Sequence, residues 1–357
     1  MRVLVINPGA VSTKISIFEE EVEVFRTSIP HSDSDLRQFD RIIDQKAYRM
    51  GLAREALRSS GFSSFDAICS RGGLLAHIPS GTYLINEAAI ADVLDPPYGE
   101  HASNLGILMA HQLSIEYNCP ACFVDPVSTD ELCPLARYSG FAPMQRESFF
   151  HALNQKSMAR KAAEILGRRY EDLNLIVVHM GGGVSVAAHR KGLVIDNYNV
   201  KDDGSFSMDR AGALPVNAVI NYCFSGLTKA QVKKTLGYEA GVYSYLGTRS
   251  FMEVEQRAKE DPKAREVMEA LVYQHAKDIG AMAAVLKFKV DAIVLTGGMA
   301  NSQLLCYSIC EYVGSIARII ILPGESEMTA LCQGALRMLR GEGTRVYPSG
   351  EINETSR

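Results

Sequence analysis

The sequence predicts an α/β protein built as two similar halves, and three observations carry that expectation. At 357 residues the chain exceeds the usual single domain of roughly 100 to 200 residues. An order of strand, turn, strand, turn, strand occurs near the N-terminus and again in the middle of the chain. Further apolar strand patterns then alternate with helical patterns, the signature of mixed sheets covered by helices.

In the first half, Val3 to Ile6 is a short apolar run that ends at Pro8-Gly9. Lys14 to Phe18 and Glu21 to Phe25 show the partial alternation of two further strands, and an amphipathic pattern from about Leu36 to Leu57 predicts one long helix. The second half repeats the opening: Leu175 to His179, a turn at Gly181 to Gly183, Val184 to His189, a turn at Lys191-Gly192, then Leu193 to Asp196. Ala292 to Thr296, a helix from about Asn301, Ile319 to Leu322 and a last helix over Glu327 to Leu339 complete the pattern. The domain expectation is a first lobe over 1–150, completed by the C-terminal helix 325–357, and a second lobe over 151–324.

Composition narrows the function classes. The chain is 47% hydrophobic and 22% charged, and 37 basic against 41 acidic residues leave a net charge of -4. That balance offers no basic field for nucleic acid and no polybasic membrane anchor, so anions must be held locally. The N-terminal apolar run breaks at Asn7 too soon for a signal peptide, and runs such as Ile279 to Leu286 fall short of a membrane span. A cytoplasmic protein is expected. Eight cysteines read as reduced thiols, and Cys119-x-x-Cys122 lacks the second ligand pair that a metal site would want.

Three glycine turns suit phosphate. Asn7-Pro8-Gly9-Ala10-Val11-Ser12-Thr13-Lys14 lets the backbone approach a ligand, with Asn7, Ser12 and Lys14 as side-chain donors; an ordinary hairpin turn would look the same. Three consecutive glycines in His179-Met180-Gly181-Gly182-Gly183 sacrifice backbone order unless the backbone is needed bare. Thr296-Gly297-Gly298-Met299-Ala300-Asn301 follows a strand and opens a helix, which sets amides against a nucleotide.

Phosphoryl transfer needs cations and metal ligands to neutralise charge. Arg71 stands at a strand end in Ser70-Arg71-Gly72-Gly73, and Arg210 lies in a Gly- and Ser-rich connection; each also fits a solvated surface arginine. His151 opens a helix after two aromatics, where it suits either donation to an anion or a capping role. Asp125 ends an apolar strand and suits Mg2+ through water or a helix cap, and Glu325 and Glu327 suit a metal or the dipole of the last helix.

Together these motifs resemble the acetokinase family, in the superfamily of sugar kinases, heat-shock chaperone ATPases and actin. Asn7-Pro8-Gly9 is similar to the family's N-x-G-S-S-S turn. Ser70-Arg71-Gly72-Gly73 resembles its strand-end arginine, and His101-Ala102-Ser103-Asn104 its H-N-P-x-N segment. Phe123-Val124-Asp125 and Phe150-His151 resemble F-D-T and F-H-G, and Pro323 to Glu327 stands where P-T-N-E-E is expected. His151-Ala152-Leu153-Asn154-Gln155-Lys156 has the form of the butyrate kinases within it.

The resemblance implies duplicated ribonuclease-H-like, actin-like ATPase domains with an interdomain cleft for Mg2+ and ATP or ADP. It implies reversible in-line phosphoryl transfer between ATP and butyrate, or another short-chain or branched carboxylate, giving the acyl phosphate. Arg71 and Arg210 would grip the carboxylate and the transferring group, with His151 donating to that group. Asn7, Ser12, Lys14, His179, Gly181, Gly182, Gly183, Gly297, Gly298, Met299 and Asn301 would hold the nucleotide. Asp125, Asn7 and one of Glu325 or Glu327, here split by Ser326, would serve the metal. Gly73 stands where acetate kinases carry a bulkier apolar residue, which implies a wider acyl pocket suited to butyrate. A homodimer or larger homo-oligomer is implied too. A sugar kinase would want a carboxylate base near the acceptor hydroxyl, and a chaperone or filament protein an added client domain or polymer contacts.

Overall fold

A computed structural model describes residues 1–348. Their strands, in chain order, are β1 (Arg2–Pro8), β2 (Ser12–Glu19), β3 (Val22–Pro30), β4 (Ala67–Arg71), β5 (Thr82–Leu84), β6 (Ala121–Val124), β7 (Asn174–Met180), β8 (Val184–Arg190), β9 (Leu193–Asn197), β10 (Ala292–Gly297), β11 (Arg318–Pro323) and β12 (Thr344–Val346). The described residues divide into two compact units, Met1–Thr129 with 326–348, and Asp130–Glu325. Residues 130–150 go with the second unit rather than with the first half of the sequence. Cys133 N–H donates to Ile195 O at 2.9 Å, Glu131 pairs with Lys156 at 2.6 Å, and Arg146 pairs with Asp196 at 2.9 Å.

In the first unit the strand order is β12-β5-β6-β4-β1-β2-β3. β1, β2 and β3 are antiparallel, while β4 runs parallel to β1 and β6 parallel to β4. The central strands are buried on both faces, hence their unbroken apolar runs. On one face Leu4, Ile6, Ile15, Ile17 and Ile68 pack with Met50, Ala53 and Leu57 of the helix Lys46–Ser60 and with Leu105, Met109 and Leu113 of the helix Leu105–Tyr117. The helix Glu327–Leu339 packs on β1, β4 and β6.

The second unit repeats the topology in the order β11-β10-β7-β8-β9, with β7, β8 and β9 antiparallel and β10 and β11 parallel to β7. Ile176, Val178, Val186, Ile293 and Leu295 face Leu271, Ile279 and Met282 of the helix Pro262–Val285. Leu175, Val177, Ala292 and Val294 face Met158, Ala159 and Ala162 of the helix Ala152–Ile165. No helix among the described residues is long and apolar enough to cross a membrane.

The long helix expected from Leu36 to Leu57 is broken into Asp33–Leu36, a 3-10 turn Ile42–Gln45 and Lys46–Ser60. At the new start two carboxylates take amide protons that a continuous helix would give to its own carbonyls. Asp44 accepts from Arg41 N–H at 3.2 Å, and Glu100 from Ile42 N–H at 2.8 Å.

Candidate active site

The parallel register of the first unit sets Asn7, Arg71 and Asp125 at the C-terminal ends of neighbouring strands, since Ile6 pairs with Ser70 and Arg71 with Val124. Strand ends of this kind are where open α/β sheets offer ligand sites. The last helix adds Glu327 at its first turn. Glu327 Oε1 pairs with Arg71 Nη1 at 2.8 Å, and Oε2 accepts from Asn7 Nδ2 at 2.7 Å. The sequence left Glu325 and Glu327 as equals, and the fold separates them: Glu325 Oε1 lies 3.5 Å from His179 Nε2 in the second unit.

Asp125 is 2% exposed with φ at +39°, a strained conformation for a residue with a side chain. Its Oδ1 accepts from Ser80 Oγ and Gly81 N–H, each at 2.7 Å, which fixes the carboxylate. These donors fit a hard cation. Mg2+ is held through one or two carboxylates together with substrate phosphates, and with both bonds on Oδ1 it is Oδ2 that suits a cation. Asn7 spends its amide nitrogen on Glu327, so its oxygen is the end that suits a cation or water.

Ser12 closes the first glycine turn, its carbonyl accepting from Gly9 N–H at 2.7 Å, and Lys14 lies opposite Asn7 in the register of β1 and β2. Arg49, missed in the sequence, braces this turn from beneath. It is 1% exposed and donates to Gly9 O at 2.8 Å, Ala10 O at 3.3 Å and Thr13 Oγ1 at 3.2 Å. Its signal was present, since it stands on the buried stripe of its helix with Met50, Ala53 and Leu57.

Gly73 has a packing role that the sequence does not announce. A Cβ there would lie 1.9 Å from Asn104 Oδ1 and 2.8 Å from Asn104 Cα. Gly73 thus makes room for Asn104, whose Oδ1 accepts from Leu74 N–H at 2.9 Å.

The second unit gathers its own predicted residues. His151 precedes the helix Ala152–Ile165 and stacks on His179, with ring centroids 3.8 Å apart and planes 14° from parallel. His179 Nδ1 lies 2.8 Å from Asn154 Oδ1, one turn along the same helix. The triple-glycine turn follows His179, and a Cβ at Gly183 would meet Arg210 Nη1 at 2.7 Å, so bare backbone admits the guanidinium. Arg210 also donates to Val200 O at 3.2 Å.

Gly181, Gly182, Gly298, Met299 and Asn301 line one cavity of about 460 Å3. Gly297 stands behind it at φ +89°, where a Cβ would meet Met180 O at 2.3 Å. Met208 and Phe251 add apolar surface to the cavity, the kind a purine ring takes. Both are nearly buried, so in sequence they look like core residues.

The chain is similar to the crystal structure of an acetate kinase from Porphyromonas gingivalis, with 18% identity and a TM-score of 0.77 over 95% of this chain and 99% of that one. It is similar to a propionate kinase from Francisella tularensis subsp. tularensis SCHU S4, with 19% identity, a TM-score of 0.72 and coverage of 93% and 98%. For an acetate kinase from Entamoeba histolytica the values are 13%, 0.74, 94% and 99%. At such identities the likeness speaks for the fold, the duplicated ribonuclease-H-like, actin-like α/β architecture expected from the sequence. Residues 144–317 match the model of the Acetokinase family.

Proposed function

We propose that the protein is a carboxylate kinase that moves a phosphoryl group reversibly between ATP and a short-chain fatty acid, with butyrate as its substrate. The observation that carries this reading is that the acetokinase-family segment, 144–317, holds the stacked His151–His179 pair, Arg210 and the glycine-lined cavity. Support for butyrate over acetate or propionate comes from the His151 to Lys156 sequence form.

A fatty acid with a pKa near the carboxylate reference of about 4.3 is already ionised at neutral pH and attacks phosphorus without a general base. The protein's task is therefore to let two anions approach. Arg71 and Arg210 neutralise the carboxylate and the transferring group, and His151 donates to its equatorial oxygens. Asn7, Ser12 and Lys14 belong to the phosphate site, with His179 and the glycine turns at 181–183 and 297–298. Met299 and Asn301 bear on the nucleoside. Mg2+, when bound with the phosphates, supplies charge neutralisation, and Asp125, Asn7 and Glu327 are the residues proposed to hold it, with Glu325 the alternative carboxylate.

The test is ATP-dependent acyl phosphate formation, trapped as hydroxamate, across acetate, propionate, butyrate, isobutyrate and a hexose control. Product with the carboxylates, highest kcat/KM with butyrate, is expected. Highest kcat/KM with isobutyrate would move the assignment to a branched-chain kinase. Phosphorylated hexose, or carboxylate-independent ATP hydrolysis alone, would overturn the reading.

A further inference from the structure

His151 is joined to a run of buried polar side chains that the proposed reaction leaves unused. Its Nδ1 lies 2.8 Å from Ser185 Oγ. Gln155 Nε2 donates to that hydroxyl at 2.9 Å and to the Ser185 carbonyl at 3.0 Å. Gln155 Oε1 lies 3.0 Å from His189 Nε2, and His189 Nδ1 lies 2.7 Å from the Tyr170 hydroxyl. Ser185, Gln155 and His189 are at most 1% exposed, so each bond must be satisfied within the protein.

The direction of every proton in this run follows from one group. A backbone carbonyl only accepts, so Gln155 must turn its amide nitrogen toward Ser185. Its oxygen then faces His189, whose Nε2 must carry the proton. Burial, with the charges of Lys156 and Arg160, holds the His189 pKa well below its ordinary value, so that ring is neutral and its bare Nδ1 accepts from Tyr170. On the other side, Ser185 Oγ already receives Gln155 Nε2–H and the His151 backbone N–H, the latter at 3.3 Å. Those two bonds fill its lone pairs, and its own proton points to His151 Nδ1.

We infer that Ser185 and Gln155 are positioning residues that hold His151 as its neutral Nε2–H tautomer, so that Nε2 carries the N–H that serves the transferring phosphoryl group. The inference rests on the kinase reading for its purpose and on geometry for its content. The stacked His179 fixes the ring plane, and the serine proton fixes which nitrogen is bare. A donor set before the reaction costs no reorientation while charge develops.

The test uses the full-length protein labelled with 15N-histidine and recorded without substrates, with the His151 signals identified by their loss in His151→Gln. A protonated Nε2 and a bare Nδ1 are expected in the wild type. Ser185→Ala should lose that fixed pattern and lower kcat by about 10-fold or more, with KM for ATP and carboxylate changed by less than about 3-fold. A wild-type His151 protonated at Nδ1, or a Ser185→Ala enzyme with unchanged kcat, would overturn the inference. Should Ser185→Ala fail to fold, the wild-type spectrum alone decides. The spectrum needs no turnover, so its failure is told apart from failure of the kinase reading, which the wild-type acyl phosphate assay decides.

Discussion

Gly73→Ala separates two accounts of one glycine. If residue 73 walled the acyl pocket, a methyl group there would shorten the preferred carboxylate and leave the fold intact. The structure predicts a different outcome, because the added Cβ would lie 1.9 Å from Asn104 Oδ1, 2.6 Å from Cγ and 2.8 Å from Cα. Rotating Asn104 away would strand the Leu74 N–H it now accepts from at 2.9 Å, a loss of about 1–3 kcal/mol for an unpaired buried donor. The contact with Cα persists after any rotation and adds overpacking strain of roughly 1–3 kcal/mol. The sum, about 2–6 kcal/mol, should lower the thermal midpoint by on the order of 10 °C. Thermal unfolding beside kcat/KM for acetate and butyrate tests it. A variant that melts like the wild type while its preference moves toward acetate would refute the reasoning and restore Gly73 as a pocket wall.

Arg71→Ala should cost catalysis on the order of 3 kcal/mol, roughly a hundredfold in kcat/KM, while the circular dichroism spectrum stays that of the wild type; near-normal turnover would remove Arg71 from the reaction. Tyr170→Phe leaves His189 Nδ1 without its donor, so it should cost about 1–3 kcal/mol in denaturant unfolding, with kcat kept within about 3-fold because the Ser185 carbonyl still orients Gln155. Burial lifts the Asp278 carboxyl from 3.8 to about 6 against the opposing hydrogen bond from Ser205 N–H. An acid whose pKa is raised on folding costs stability as pH climbs from about 4 to 6, by about 3 kcal/mol once fully ionised. Asp278→Asn should therefore melt higher than the wild type at pH 8, with the gap closing toward pH 4, and equal melting at both pH values would contradict it.

Strands were legible where they are buried on both faces, because an unbroken apolar run such as Val3 to Ile6 or Ala292 to Thr296 has few other uses. The last helix was legible to the residue, since Glu327 opens it and its apolar stripe covers a sheet. The break at residues 37–41 was not, since the carboxylate of Glu100 that accepts from Ile42 N–H at the new start lies 58 residues away. The same limit governs the site. Glycine turns announce themselves locally, as the rows Gly181 to Gly183 and Gly297-Gly298 did. That Glu327 meets Asn7, 320 residues away, and that Gly73 packs on Asn104 are contacts between segments far apart in sequence. Gln155 and Ser185 read in sequence as unremarkable polar residues, and only their shared burial with His189 gives them a task.

The central claim is that a carboxylate oxygen becomes bonded to phosphorus. Incubating the enzyme with ATP, Mg2+ and butyrate labelled with 18O in its carboxyl group, and following phosphorus NMR, tests it directly. The account predicts an acyl phosphate resonance displaced by the isotope, because the bridging oxygen comes from butyrate. An undisplaced acyl phosphate signal, or ADP and inorganic phosphate as the sole products, would contradict it.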